Sequence, residues 1–238
     1  MRFFLFSALL VCCTVLKADN VSARLPADFT ATYELYKSGL PVAETKYSLK
    51  TTAQHARFES TTVLKGLLSL FNDERIHEIS RFDISAPDNV KLSHYAFSQT
   101  GKNKLEINSS IDWQRHRIST TIDDNAAVQF SFDTALWDKN SIFLALITHA
   151  GKNITSLSFN TLHQAETKTY RFDKLAQKEI EIDDNEWKQT SVWARSYNNK
   201  KTIFYLDPTE HNFPLKIEQY KNQQLQATLW LTELNWNE

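Results

Sequence analysis

The sequence predicts a mainly β protein: a strongly curved antiparallel sheet, a half-barrel or unclosed barrel, wrapped around one short helix. Three observations predict it. Beyond residue 28 the apolar residues alternate with period two in run after run, polar turns separate the runs, and a single stretch changes period. Alternation gives each strand one apolar face, and every such face needs cover.

In chain order, the first segment is an address rather than a strand. Met1-Arg2 carries one positive charge, and Phe3 to Leu16 is a nearly unbroken apolar run. A bilayer span takes about 20 residues, so this run fits a secretory signal peptide over residues 1–18. Cleavage is expected after Ala18, with Ala23 as the alternative; a retained membrane anchor is the competing reading. Val11 precedes Cys12 and Cys12 precedes Cys13, so neither has the small residue that lipidation needs before it. Both cysteines go with the leader, and residues 19–238 then hold no thiol, disulfide or Cys-ligated metal. Loss of Arg2 and Lys17 leaves 25 basic against 28 acidic side chains. The mature chain is expected to be a single β-rich domain in the periplasm, with no transmembrane segment.

Phe29, Ala31, Tyr33 and Leu35 line one face of the first strand, with Thr30, Thr32 and Glu34 on the other. Ser38-Gly39-Leu40-Pro41 turns the chain, and Ala43, Thr45, Tyr47 and Leu49 return on one side of Val42 to Thr51, which makes a hairpin. Alternating runs follow at Arg57 to Leu64, Arg75 to Ile84, Lys91 to Thr100, Lys104 to Trp113, Arg117 to Ile122 and Val128 to Phe132. Ser141 to Ala150 is apolar almost all round, with Asp138 to Ser141 as N-cap candidates and Gly151 as the stop. It reads as a helix buried on most sides; a buried strand is the competing reading. Strands resume at Ser156 to Leu162, Lys168 to Phe172, Glu179 to Ile182, Gln189 to Arg195, Thr202 to Leu206, Leu215 to Tyr220 and Gln226 to Leu234. Asp183-Asp184-Asn185-Glu186 reads as a hairpin turn, and Glu179 and Glu181 as outer-face residues.

Magnitude decides the architecture. Twelve or more strands at about 4.8 Å spacing make a flat sheet more than about 50 Å wide. One helix about 10 Å across cannot cover its apolar face, and a patch of that size is not left bare. The sheet must curl around the helix.

Known chemistry is mostly excluded. The net charge of −1 gives no electrostatic case for nucleic acid. The four glycines (Gly39, Gly66, Gly101, Gly151) are far apart, which excludes a phosphate-cradling loop. The seven histidines form no i, i+2 or i, i+4 pair, so no local metal site is expected. No serine sits in a Gly-x-Ser-x-Gly elbow or a Ser-x-x-Lys motif. No cofactor, metal or catalytic residue is assigned, and the protein is not expected to be an enzyme. The six tryptophans, fifteen phenylalanines and eight tyrosines fill a core or line an apolar cavity.

Several segments carry a resemblance. They are Leu25-Pro26-Ala27-Asp28-Phe29-Thr30-Ala31-Thr32-Tyr33, Ser38-Gly39-Leu40-Pro41-Val42, Phe204-Tyr205-Leu206-Asp207-Pro208 and Phe213-Pro214-Leu215-Lys216-Ile217. Together they resemble the Gram-negative periplasmic family called domain of unknown function 3108. Asp133 to Ala150 resembles that family's mid-chain helix, and Lys168-Thr-Tyr-Arg-Phe172 its next strand. Two departures stand out: Ala43 replaces a frequent glycine, and the turn at Asp184-Asn185-Glu186 has none. The resemblance implies a curved antiparallel sheet similar to the unclosed barrels of lipoprotein carriers, and it transfers no catalytic residue.

The expected function is a non-enzymatic binding or chaperone-like protein of the cell envelope, holding an apolar ligand in its curved sheet. Tyr33, Phe143, Leu146, Ile147 and Trp230 are the candidate ligand-binding wall. The alternatives are an accessory protein with a filled core, partnered by an envelope protein, and a hydrolase of envelope polymers.

Overall fold

In the computed structural model, residues 24–66, 69, 73–151, 153–183 and 185–237 are described. The period-two runs become β1 (Phe29–Lys37), β2 (Leu40–Thr51), β3 (His55–Leu64), β4 (Arg75–Ala86), β5 (Asn89–Gln99), β6 (Leu105–Asp112), β7 (Arg117–Ile122) and β8 (Val128–Ser131). A short strand β9 (Leu136–Asp138) and a helix α1 (Ile142–Ala150) follow. The rest of the chain makes β10 (Ser156–His163), β11 (Glu166–Lys174), β12 (Lys178–Asp183), β13 (Glu186–Tyr197), β14 (Lys200–Asp207), β15 (Phe213–Lys221) and β16 (Gln224–Trp236). The expected signal peptide and its cleavage sites lie outside the described residues.

All sixteen strands belong to one sheet. Its order is β8, β7, β6, β5, β4, β3, β2, β1, β16, β15, β14, β13, β11, β10, β9, with β12 paired to β13 off that path. The first and last strands meet mid-sheet, Phe29 opposite Trp236. The path does not close on itself, which is the unclosed sheet expected.

One strand pair departs from the antiparallel pattern. The sheet is mixed, because β9 pairs in parallel with β10, Trp137 opposite Thr161. Parallel neighbours need a crossover, and α1 supplies it. β9 escapes the sequence reading because Leu136, Trp137 and Asp138 are all buried. Three residues without alternation carry no period-two signal.

Strand parity builds a continuous inner face. One row across the sheet runs Ile217, Leu229, Leu35, Ala43, Leu64, each opposite the next. The next row starts Tyr33, Thr45, Thr62, Ile76, and a third starts Ala31, Tyr47, Ser60, Glu78, Phe97. α1 lies against this face, all but one of its residues buried. Phe143 packs against Tyr47, Phe58, Phe213 and Tyr33, with ring centroids 4.9, 6.0, 5.6 and 6.1 Å away. A second, smaller core of Ile180, Val192, Tyr205 and Leu215 lies on the other side of the sheet, where the β12–β13 hairpin provides Ile180.

The turns compensate for the scarcity of glycine. Among the described residues, Ser38, Gln164, Asn185, Asn198, Asn222 and Gln223 hold positive φ at hairpin tips. Asn185 is the left-handed residue of the turn that lacks its family glycine. Gly151 does end α1, for a reason other than backbone freedom. Its φ is −75°, and a Cβ there would sit 2.7 Å from Asn212 Nδ2.

Candidate functional site

The inner face divides into two halves along the strands. Phe29, Phe58 and Phe213 mark one end, and the other end is a rim formed by the β1–β2, β13–β14 and β15–β16 turns. α1 fills the first half. Phe143, Leu146 and Ile147, three of the predicted wall residues, are buried there on the helix. Tyr33 joins them: its ring is fully buried and its hydroxyl donates 2.6 Å to the Pro214 carbonyl. Burial pushes the Tyr33 pKa well above its ordinary value, so the hydroxyl stays a donor.

Trp230 is not brought to this group. It stands opposite Glu34 on β1, hence on the outer face. There it packs with the second core, and Lys216 Nζ sits 4.7 Å from its ring centroid. The same ammonium pairs at 2.7 Å with Glu218, whose other oxygen accepts the hydroxyls of Tyr205 and Tyr220 at 2.8 Å. Burial raises the Glu218 pKa, but Lys216 and the two hydroxyls outweigh it and hold the carboxyl below the usual range. Sequence could not assign Trp230 its side, because a register irregularity between Thr32 and Tyr33 shifts the parity of β16.

Toward the rim the inner face is less covered. Leu35, Leu64, Ile76, Leu105 and Ile122 are only half-buried, although register places each on the inner side. They form an apolar lining toward the rim, where Leu35, Ile76, Leu105 and Ile122 border the main core.

A polar seam crosses the inner face where α1 begins. Asp138 Oδ1 accepts the Ser141 amide at 2.7 Å, and Ser141 Oγ accepts the Asp138 amide at 2.9 Å. These two bonds close a turn immediately before α1, and Ser141, the last of the expected cap positions, stands at the N-cap without a side-chain cap hydrogen bond. Ser80 of β4 donates to the same Oδ1 at 2.9 Å, and Asn140 Nδ2 donates to Ser80 Oγ at 3.2 Å. Asp138 Oδ2 is buried without a hydrogen-bond partner. Burial is the largest influence and pushes the carboxyl up to about 7. The Ser141 and Ser80 bonds pull against it, and the nearby Glu78 adds to it. Glu78 itself accepts the Tyr95 hydroxyl at 2.6 Å. Sequence named Asp138 only as a cap; its burial follows from β9, which left no pattern.

Other candidate chemistry is sparse. Among the described residues, no group of three or more His, Asp or Glu could hold a metal, and no helix is long and apolar enough to cross a membrane. His149 is buried beside Trp137 and Phe159, its Nδ1 donating 2.6 Å to the Ala145 carbonyl. Glu179 and Glu181 are exposed, as expected. An open hollow of about 550 Å³ on β2–β5 is bordered by Lys50, His55, Arg57, Arg81, Asp83 and His94. Two of these side chains are engaged, Arg57 with Glu59 at 2.9 Å and His55 Nδ1 with Asp83 Oδ1 at 3.3 Å.

With this geometry in place, a family model described as "Protein of unknown function (DUF3108)" matches residues 28–229. The chain belongs to the DUF3108 family. The match spans β1 to the middle of β16, so it covers nearly the whole inner face. No curated protein matches the chain. Among solved structures, this DUF3108 chain is similar to a crystal structure from Brucella abortus, a β-barrel-like protein of domain of unknown function DUF1849. The two share 10% identity at a TM-score of 0.58, over 91% of this chain and 100% of that one. A likeness at that identity shows the fold alone.

Proposed function

We propose that this DUF3108 protein is exported to the periplasm and is a non-enzymatic binding or chaperone-like protein of the cell envelope. It takes an apolar ligand, an acyl chain or a hydrophobic protein segment, on the rim half of its inner face. The observation that carries this reading is the half-buried apolar lining of Leu35, Leu64, Ile76, Leu105 and Ile122 on the inner face toward the rim. Sites for apolar ligands are concave and lined by such side chains. Tyr33, Phe143, Leu146 and Ile147 form the floor under the ligand, since they are packed against one another and hold the helix in place.

The hydrolase alternative finds little support in Asp138. Its carboxyl is fully buried and held by the Ser141 amide and the Ser80 hydroxyl, out of reach of a polymer. The test is native mass spectrometry of the exported protein, followed by titration with a fluorescent fatty acid. Co-purified lipid, or saturable probe binding that Leu35→Asp and Leu64→Asp abolish, is the expected result. A protein that carries no lipid and binds no probe removes the reading.

A further inference from the structure

We infer that the rim sector made by the β1–β2, β15–β16 and β13–β14 turns docks onto an anionic phospholipid surface. These three hairpins are adjacent, since β2, β1, β16, β15, β14 and β13 are consecutive in the sheet. At about 4.8 Å per strand they span about 24 Å of rim. Register puts all three turns at one end: Tyr36 lies opposite Thr228, and Lys200 opposite Lys221.

Each turn is short and fixed. Two residues connect the strands in all three cases. Ser38 and Gly39, and Asn222 with Gln223, hold positive φ, the hairpin geometry that follows strand twist. Two of the tips are tied together. Asn199 Nδ2 donates 2.7 Å to Asn222 Oδ1, and the Asn222 amide donates 2.8 Å to the Asn199 carbonyl.

Each turn also presents an apolar side chain to solvent. Leu40 is 67% exposed, Tyr197 53% and Leu225 53%. A buried core gains nothing from them there. Lys37, Lys200, Lys201 and Lys221 flank them, all exposed. Residues 36–41, 197–201 and 220–226 contain no acidic side chain. The cationic sector has a boundary: farther along the same rim, the β7–β8 turn carries Asp123 and Asp124. Apolar tips that insert at the headgroup boundary, ringed by lysines within a Debye length of anionic lipid, are the chemistry of interfacial docking. A neutral bilayer would engage the apolar tips and leave the lysines without a counter-charge.

This inference stands apart from the ligand reading, because it uses outward-pointing tips rather than the inner face. Its test is hydrogen exchange of the full chain, with vesicles of phosphatidylethanolamine and phosphatidylglycerol or of phosphatidylcholine alone. Reading each segment separately keeps the apolar leader out of the comparison. The expected result is several-fold protection of residues 37–41, 197–201 and 221–225 by the anionic vesicles only. The quadruple variant Lys37→Glu, Lys200→Glu, Lys201→Glu, Lys221→Glu should lose it while keeping the wild-type melting profile. A milder variant, Leu40→Ser with Leu225→Ser, should weaken it and cannot disturb a core. Absence of protection at these tips overturns the inference, as does equal protection by phosphatidylcholine or protection at the Asp123–Val128 turn instead. Tips that ignore both vesicles yet crosslink to a protein in cells are a protein interface, and the lipid assignment then falls.

Discussion

Ser80 on β4 donates its hydroxyl to Oδ1 of Asp138, 58 residues later in the chain. This bond fastens the start of α1 to the inner face, because the same oxygen accepts the amide of Ser141, the residue just before the helix. The anchor has a pH dependence whose sign follows from burial. An unfolded aspartate titrates near 3.9, whereas the folded carboxyl is pushed up to about 7. Between those values the folded state holds a proton that the unfolded state has released. The penalty of a buried charge is therefore absent below about pH 4, grows as pH rises, and is complete above about pH 7. A shift of about three units corresponds to about 4 kcal/mol. Asp138→Asn keeps the Oδ1 acceptor and does not titrate. The free-energy difference, variant minus wild type, should rise by a few kcal/mol between about pH 4 and pH 8 in urea melts. Parallel pH profiles for the two proteins would refute the buried-charge account.

Phe143 is the aromatic plug of the helix-filled half, bordered by Tyr33, Tyr47, Phe58 and Phe213. A neighbourhood of several rings fixed on different strands cannot collapse into the space that a truncation leaves. Phe143→Ala should cost about 3–5 kcal/mol, measured as a lower urea midpoint with little change in slope. Phe143→Leu fills more of the space and should recover over half of that loss. If alanine costs under about 1 kcal/mol, the helix does not seat as described.

Parity explains what was legible in the sequence. Phe29, Ala31, Tyr33 and Leu35 announced the inner face because strand side chains alternate without exception until a bulge intervenes. The helix showed as the one run apolar all round, and its cap as Asp138 to Ser141. Two kinds of feature stayed hidden. β9 is buried on both sides, so Leu136, Trp137 and Asp138 have no contrast to read. Trp230 comes just before a bulge at Thr232, and that one extra residue puts it on the face opposite to Leu234 and Trp236 despite their matching parity. The division of the inner face into covered and uncovered halves was also hidden, because it depends on where along the strands α1 comes to rest. No local pattern encodes that position.

The turns allow a paired test of backbone strain. Gly39 has φ +79°, and nothing lies within 4 Å of the place a Cβ would take. Gly39→Ala therefore has no steric clash to confuse the result. Its cost should be the left-handed conformation alone, about 1 kcal/mol. Gln223 occupies the same region at φ +64°. Gln223→Gly relieves that strain at some entropic cost in the unfolded chain, for a net gain of about 0.5 kcal/mol. Thermal melts of both variants should move in opposite directions. A shift of the same sign in both would mean that the turns are not held as found.

The two sides of the sheet make opposite predictions for two apolar residues. Trp230 lies on the outer face against Lys216 and the second core, while Leu64 lies on the inner face next to Ala43 and is half-buried near the rim. Trp230→Ala removes a large half-buried ring and its cation–π contact, and should cost about 1–3 kcal/mol of stability. It should leave fatty-acid probe affinity within about twofold, because the sheet separates it from the ligand. Leu64→Ser removes less apolar area from a partly solvated position, so its stability cost should be smaller. It lines the proposed site directly, and probe affinity should fall by about tenfold, the equivalent of about 1.4 kcal/mol. Binding and stability are thereby driven apart in opposite senses by the two variants. If Trp230→Ala weakened the probe and Leu64→Ser did not, the ligand would sit on the outer face.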